Sequence, residues 1–304
     1  MEPVITENNK LQEISTTPSA KYMEVQAIVL SHKGCVRDNN EDNFYFDGDF
    51  MQKETVDDGA LIRLNQAKDF HIFAICDGMG GLKGGEDASS IAVHEMDQIN
   101  KYIPSKQVAS AMKAYADRAC KAVFSDGVSK GAAGREGTTL AALYLVDGKA
   151  HVGNVGDSRV YLLRENYLYQ LSTDHSQVYE MMKRGELTRE QMRKHPRGNV
   201  IGSYVGMDAA RKPVPYLAYF ECPVCKGDRF MLCSDGLSDL LMHQEMQSIL
   251  SRQKDPATAV QQLVYRALEM GGKDNTTCIV VDIIGDTMPV PTPALSASLP
   301  LERS

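Results

Sequence analysis

The apolar positions of this chain change period along its length, and the changes mark out its elements. Val25, Ala27 and Val29 alternate with polar neighbours and predict a strand from Val25 to Leu30, and a second, aromatic strand covers Asn43 to Phe46. Between them lies the polar stretch GCVRDNNED, and a polar insertion near Gly48 to Asp58 follows the second strand. A continuous apolar run, Ile72-Phe73-Ala74-Ile75-Cys76, then stops at Asp77, with Gly78, Gly80 and Gly81 close behind. Glycine lacks a Cβ, so this strand is expected to deliver a carboxylate to a place where backbone approaches something closely.

The period then becomes helical. Ala88, Ile91, Ala92, Met96, Ile99 and Ile103 share one face of a helix from Glu86 to about Ile103, and Ser105 is the expected N-cap of a second helix carrying Val108, Met112, Tyr115, Ala119 and Val123. Residues Gly127 to Gly137 read as a loop. Four strands follow in quick succession, at Thr138 to Val146, Ala150 to Val155, Arg159 to Arg164 and Tyr167 to Leu171, with Asp147-Gly148 and Glu165-Asn166 as hairpin turns. Ser176 to Arg184 and Thr188 to Lys194 are short helices in a polar, glycine-rich segment, about Ser176 to Lys212, that reads as a flap. Strands at Tyr216 to Glu221 and Asp228 to Cys233, a helix from Leu237 to Ser251, a helix capped by Asp255-Pro256 and a strand from Thr277 to Ile284 complete the pattern. Hairpins outnumber βαβ units, so the fold class is α+β, with two antiparallel sheets packed face to face and helices outside. Residues 1–22 and the Pro/Ser-rich 286–304 read as disordered tails around one domain at 23–285.

Charge removes some functions from consideration. The formal net charge is -7, and the 33 Lys and Arg are scattered among 40 acids, which argues against a nucleic-acid or anionic membrane surface. No apolar run is long enough to span a bilayer and no leader pattern opens the chain, so a soluble, cytoplasmic protein is expected. Seven cysteines fit reduced core thiols, and the Cys222-Cys225 CxxC has no second pair or histidines at zinc spacing, so it reads as a turn between strands.

The candidate chemistry lies in acids at strand ends. Asp77, Asp157 in GNVGDSR, Asp235 in CSDG and Asp274 in GGKDNTT stand at the edges of predicted strands, with Glu41 and Asp42 just before another. Neighbouring strand ends in antiparallel sheets meet at one rim, where such acids would repel without a cation between them. An all-oxygen donor set favours Mg2+ or Mn2+. Arg37 suits a phosphate clamp, or else a salt bridge to Glu41 or Asp42. With no Ser-His or Cys-His arrangement, the fitting chemistry is phosphate-ester hydrolysis by metal-activated water.

At this point the chain resembles the metal-dependent type 2C protein Ser/Thr phosphatases, especially their bacterial members. The motifs that carry the resemblance run in order: RDNNED at Arg37 to Asp42, DGMGG at Asp77 to Gly81, GTT at Gly137 to Thr139, VGDSRVY at Val155 to Tyr161, TDHS at Thr173 to Ser176, SDGLSD at Ser234 to Asp239 and DNTT at Asp274 to Thr277. The resemblance implies a four-layer α-β-β-α sandwich with a metal cleft at one end. It implies that Asp77 bridges two metals, that Glu41 and the Gly78 carbonyl serve one and Asp235 and Asp274 the other, and that Asp42 acts through water. Asp157, Asp235 and Asp239 match a third, weaker metal position, and Arg37 holds the phosphate. It further implies phosphoprotein substrates, a cognate Ser/Thr kinase and a monomer. Some relatives carry a histidine as general acid where this chain has Met79, which leaves protonation of the leaving group to water.

Overall fold

The computed structural model describes residues 22–51, 60–80, 84–188, 191–192, 194–198, 200–208 and 217–285. The expected disordered tails, except Tyr22, Gly81 and most of the polar insertion after Gly48 lie outside the described residues.

Two antiparallel sheets form the centre. One has the strand order β10-β9-β12-β13-β1-β4, built from β1 (Met23–His32), β4 (Ala60–Lys68), β9 (Arg159–Arg164), β10 (Tyr167–Gln170), β12 (Arg229–Cys233) and β13 (Thr276–Ile283). The other runs β11-β8-β7-β5-β2-β3, from β2 (Asp42–Phe46), β3 (Asp49–Phe50), β5 (Phe70–Met79), β7 (Leu140–Val146), β8 (Lys149–Val155) and β11 (Ala218–Pro223), with β6 (Gly137–Thr138) paired to β5. Helices α1 (Gly84–Met96) and α2 (Ser105–Ser129) cover this second sheet. A one-turn α4 (Asp235–Ser238), with α5 (His243–Arg252) and α6 (Pro256–Glu269), covers the first. The short α3 (Gln177–Lys183) stands in the expected flap segment. This is the expected four-layer α+β sandwich.

Burial on both faces explains why β5 reads as an unbroken apolar run. Phe73 and Ile75 face the opposite sheet with Phe44, Phe46, Val29, Leu232 and Ile279, whereas Ile72, Ala74 and Cys76 pack beneath α1 and α2. Side chains alternate along a strand, so Asp77 continues the inter-sheet face of Phe73 and Ile75, and Asp42 continues that of Phe44 and Phe46. The same alternation places Ser31, Thr139, Ser158, Ser234 and Thr277 at the same end. The apolar interior thus finishes in a polar layer, and that layer is where the candidate acids converge.

Several local expectations change. The chain between β3 and β5 contains a further edge strand, β4, whose Ile62 and Leu64 pack on the core while Leu61 is exposed. Asp77 lies within β5 rather than after it, paired with Asp42. Pro104, not Ser105, occupies the N-cap of α2, and the Ser105 hydroxyl bonds His151 instead. That helix runs to Ser129, three residues into the expected loop. The single helix expected from Leu237 breaks into α4 and α5 around Asp239 to Met242. The two hairpins at Asp147-Gly148 and Glu165-Asn166 close with positive φ at both turn residues, as a tight type I′ turn requires. The CxxC straddles a strand end and the expected turn: Cys222 lies in β11, paired with Ala150, whereas Cys225 opens the turn, its carbonyl accepting from the Asp228 amide, and all seven cysteines are free thiols.

Candidate metal centre

Asp42 and Asp77 are direct partners across the β2–β5 ladder. Asp235 opens α4 immediately after β12, Asp274 lies two residues before β13, and Asp157 follows β8. Both sheets therefore contribute acids to one rim. Gly78 is fixed here by crowding: a Cβ on it would stand 2.1 Å from the Gly85 carbonyl oxygen and 2.6 Å from that of Glu41. A Cβ on Gly85 would lie 2.8 Å from the Glu41 carboxyl, so glycines let the start of α1 press against β5 and the Glu41 side chain. The Gly78 amide donates to the Glu41 carbonyl, and Asn275 accepts from the Glu41 amide at 2.8 Å. Asp77 is held by its backbone, its amide donating to Thr139 Oγ1 at 3.0 Å and its carbonyl accepting from Thr138 Oγ1 at 2.9 Å.

The electrostatics are those of like charges confined together. Burial first, and then Asp42, Asp235, Asp157 and Asp274, push the Asp77 carboxyl well above the usual range. Burial followed by Asp157, Asp239, Asp274 and Asp42 does the same to Asp235. Asp42 is pushed up to about 7 by burial, against the lowering effect of hydrogen bonds from Thr277 and Ser234. Asp157 is also pushed up to about 7, by burial and then by Asp174 and Asp239. Burial likewise raises Glu41, opposed by Arg37.

Arg37 does not pair with Glu41 or Asp42. Its Nη2 donates to Asp274 Oδ2 at 2.8 Å, and the half-exposed guanidinium makes no other hydrogen bond among the described residues. A cavity of about 60 Å3 touches Asp157, Asp235 and Asp239 together with Asp174. Asp174, from the TDHS motif, had no assigned role in the sequence; Arg159 grips it through Nε at 3.0 Å and Nη2 at 2.6 Å. Met79 is half-buried at the end of β5, opposite Gly137.

Among the described residues, no three His, Cys, Asp or Glu side chains are gathered closely enough to enclose an ion by themselves. The donor chemistry still fits Mg2+ or Mn2+. Such an ion keeps several waters and takes few carboxylates, so a closed protein cage is not needed. Asp42 Oδ1 and Asp157 Oδ1 are buried without a hydrogen-bond partner among the described residues, an arrangement that is costly unless a cation answers it.

Residues 52–270 match the family model for protein phosphatase 2C. The chain belongs to the protein phosphatase 2C family. It is an enzyme of that family, a protein phosphatase. Among its relatives, the serine/threonine phosphatase stp of Listeria welshimeri is 30% identical over 82% of this chain and 92% of its own length. The serine/threonine protein phosphatase PstP of Mycobacterium tuberculosis is 29% identical over 88% of this chain and 47% of its own length. A crystal structure of the Mycobacterium tuberculosis phosphatase superposes with a TM-score of 0.73 at 27% identity, covering 86% of this chain and all of that one. A second PstP structure, of the catalytic domain in complex with two manganese ions, superposes with a TM-score of 0.70 at 27% identity, over 86% of this chain and 100% of that one. The phosphatase 2C fold is thus shared along the described sandwich. Among the described residues, no helix is long and apolar enough to cross a membrane.

Proposed function

We propose that this phosphatase hydrolyses phosphoserine and phosphothreonine on proteins at the acid-lined end of the sandwich, with two divalent cations, Mg2+ or Mn2+. The observation that carries the reading is the mutually repelling set of buried Asp42 and Asp157 and half-buried Asp77 and Asp235, drawn from both sheets, with two carboxylate oxygens left unpartnered among the described residues. Asp77 would bridge the cations, Glu41 and the Gly78 carbonyl would hold one, Asp235 and Asp274 the other, and Asp42 would act through water. Asp157, Asp235 and Asp239 would form a third, weaker position at their shared cavity. Bound there, the cations would supply Lewis acidity, lowering the pKa of a water for attack on phosphorus and offsetting the charge of the phosphate.

The chain's own residues divide the remaining work. Arg37, tethered by one nitrogen to Asp274, offers its other donors to the substrate phosphate, so the phosphate arrives with its orientation set. With a thioether at Met79, no acid side chain stands there to donate to the leaving alkoxide, and water supplies that proton. Beyond Ser176, α3 together with Arg197, Gly202 and Ser203 flanks a groove of about 390 Å3 also lined by His175, Gln177, Glu180 and Arg184, which suits a peptide backbone beside the cleft. A soluble, cytoplasmic monomer opposing a Ser/Thr kinase completes the proposal; the relatives' names support its Ser/Thr phosphatase activity.

Phosphate release from phosphothreonine, phosphoserine and phosphotyrosine peptides by metal-stripped protein tests the proposal. Hydrolysis of the first two should require restored Mn2+ or Mg2+ and collapse in Asp235→Asn. Hydrolysis indifferent to metal, or to that substitution, would defeat it.

A further inference from the structure

Asp42 is the terminus of a closed ring of buried hydrogen bonds. Its amide donates to Asn40 Oδ1 at 3.2 Å, which fixes the orientation of that side-chain amide. Asn40 Nδ2 therefore donates to Ser31 Oγ at 2.9 Å. Ser31 Oγ lies 2.7 Å from Thr277 Oγ1, and Thr277 Oγ1 donates to Asp42 Oδ2 at 2.7 Å. A hydroxyl has one proton, and that of Thr277 is committed to Asp42, so Ser31 must be the donor in the Ser31–Thr277 pair. Every proton in the ring then has one direction, from the Asp42 amide round to the Asp42 carboxylate. A second hydroxyl, Ser234 Oγ, also donates to Oδ2 at 2.8 Å while accepting from the Thr277 amide at 3.0 Å.

The ring members are all buried, Ser31, Ser234 and Thr277 completely so. They come from β1, the loop before β2, the end of β12 and β13, so the ring also ties the two sheets together beneath the rim. Two O–H donors occupy one carboxylate oxygen, and the other, Oδ1, is left without a partner among the described residues. The carboxylate cannot rotate without breaking both bonds.

We propose that Asn40, Ser31, Thr277 and Ser234 are positioning residues that aim Asp42 Oδ1 at the divalent cations. The inference rests on the metal reading above and adds what that reading lacks, a reason for the orientation of one acid. Hydroxyls behind a metal-facing carboxylate restrict its rotation and set its affinity, and removing such a partner typically weakens metal binding by about 10- to 100-fold. Ser31 is the sharpest member of the set, because it touches no acid and lies outside the acidic motifs.

Calorimetric titration of metal-stripped protein with Mn2+ tests this, with thermal melts in EDTA as the control for folding. Thr277→Val, which keeps the side-chain shape, should weaken Mn2+ binding by about 10-fold or more. Thr277→Ser, which keeps the hydroxyl, should stay within about 3-fold of wild type, and Ser31→Ala should lose about 3-fold or more, the worth of one indirect hydrogen bond. If Thr277→Val does not fold, the Ser31→Ala and Thr277→Ser pair decides alone. Wild-type affinity in both Thr277→Val and Ser31→Ala would overturn the ring, as would equal losses in Thr277→Val and Thr277→Ser, which would point to the packing of the methyl group. Absence of Mn2+ binding by the wild type would instead remove the metal reading, and the ring's role with it.

Discussion

Two kinds of buried or half-buried aspartate can be told apart in this sandwich. Asp228, Asp282, Asp174 and Asp47 each have a cation hydrogen-bonded to them: Arg164 grips Asp228 at 2.7 and 2.6 Å, Arg229 grips Asp282 at 2.6 Å through two nitrogens, Arg159 grips Asp174, and Lys68 reaches Asp47 at 2.8 Å. Asp42, Asp77, Asp157 and Asp235 have no hydrogen-bonded cation among the described residues, and each is pushed up by burial and by its acidic neighbours. The same fold thus neutralises its structural acids with resident side chains and leaves these four without one, as the proposed cation site requires, while the fifth rim acid, Asp274, holds Arg37. Asp174 stands at the boundary, clamped by Arg159 yet raising Asp157.

That contrast is open to attack at several points. Asp77→Asn should reduce metal-dependent phosphatase activity by at least about 100-fold, a loss no smaller than that of a supporting partner. Arg37→Ala should cost about 10- to 100-fold in kcat/KM on phosphopeptides, the worth of one or two charge-assisted hydrogen bonds, and Arg37→Lys should recover only part of it. Stability should move in opposite directions for the two kinds of acid. Asp228→Asn strands the buried Arg164 charge and should destabilise by about 3–5 kcal/mol in a denaturant melt. Asp157→Asn should raise the melting temperature of the metal-free protein, since it removes a repelled carboxylate.

The smallest effect is a pH slope. Asp42 and Asp157 titrate at about 7 in the fold, against about 4 in an unfolded chain, so the metal-free fold holds more protons than the unfolded chain between those values. Their contribution to stability is complete below about pH 4 and declines as the pH rises to about 7. Melts of EDTA-treated protein across that window should show the decline, and it should flatten in Asp157→Asn or when Mn2+ is present.

Much of this was legible in the residues, and the exceptions have physical causes. Long buried strands announce themselves: β5 carries apolar side chains on both faces and β13 does likewise, so Asp77 and Asp274 could be placed at strand ends from pattern alone. The edge strand β4 buries one face only partly, and with Arg63 and Asn65 on the other face and Gln66 beside Ile62 and Leu64, its pattern carries too few apolar positions to announce a strand. Ser105 has the composition of a cap, but His151 competes for its hydroxyl. The acids of the rim were visible because each lies at or beside the end of a strand. Their supports were not, because the Ser31–Thr277 contact joins residues 246 positions apart and the Ser234–Asp42 contact joins residues 192 apart. Arg37 could be read as a clamp, whereas its anchor on Asp274 depends on how the loop before β2 meets the turn before β13.

The central claim is that the rim acids are held together by divalent cations. Equilibrium dialysis of the metal-stripped protein against Mn2+ at neutral pH, counted per chain by elemental analysis, tests it most directly. Two tightly held ions per chain are expected, with fewer retained by Asp77→Asn and the full number by Asp228→Asn. No retained Mn2+, or equal retention in Asp77→Asn and wild type, would contradict the account.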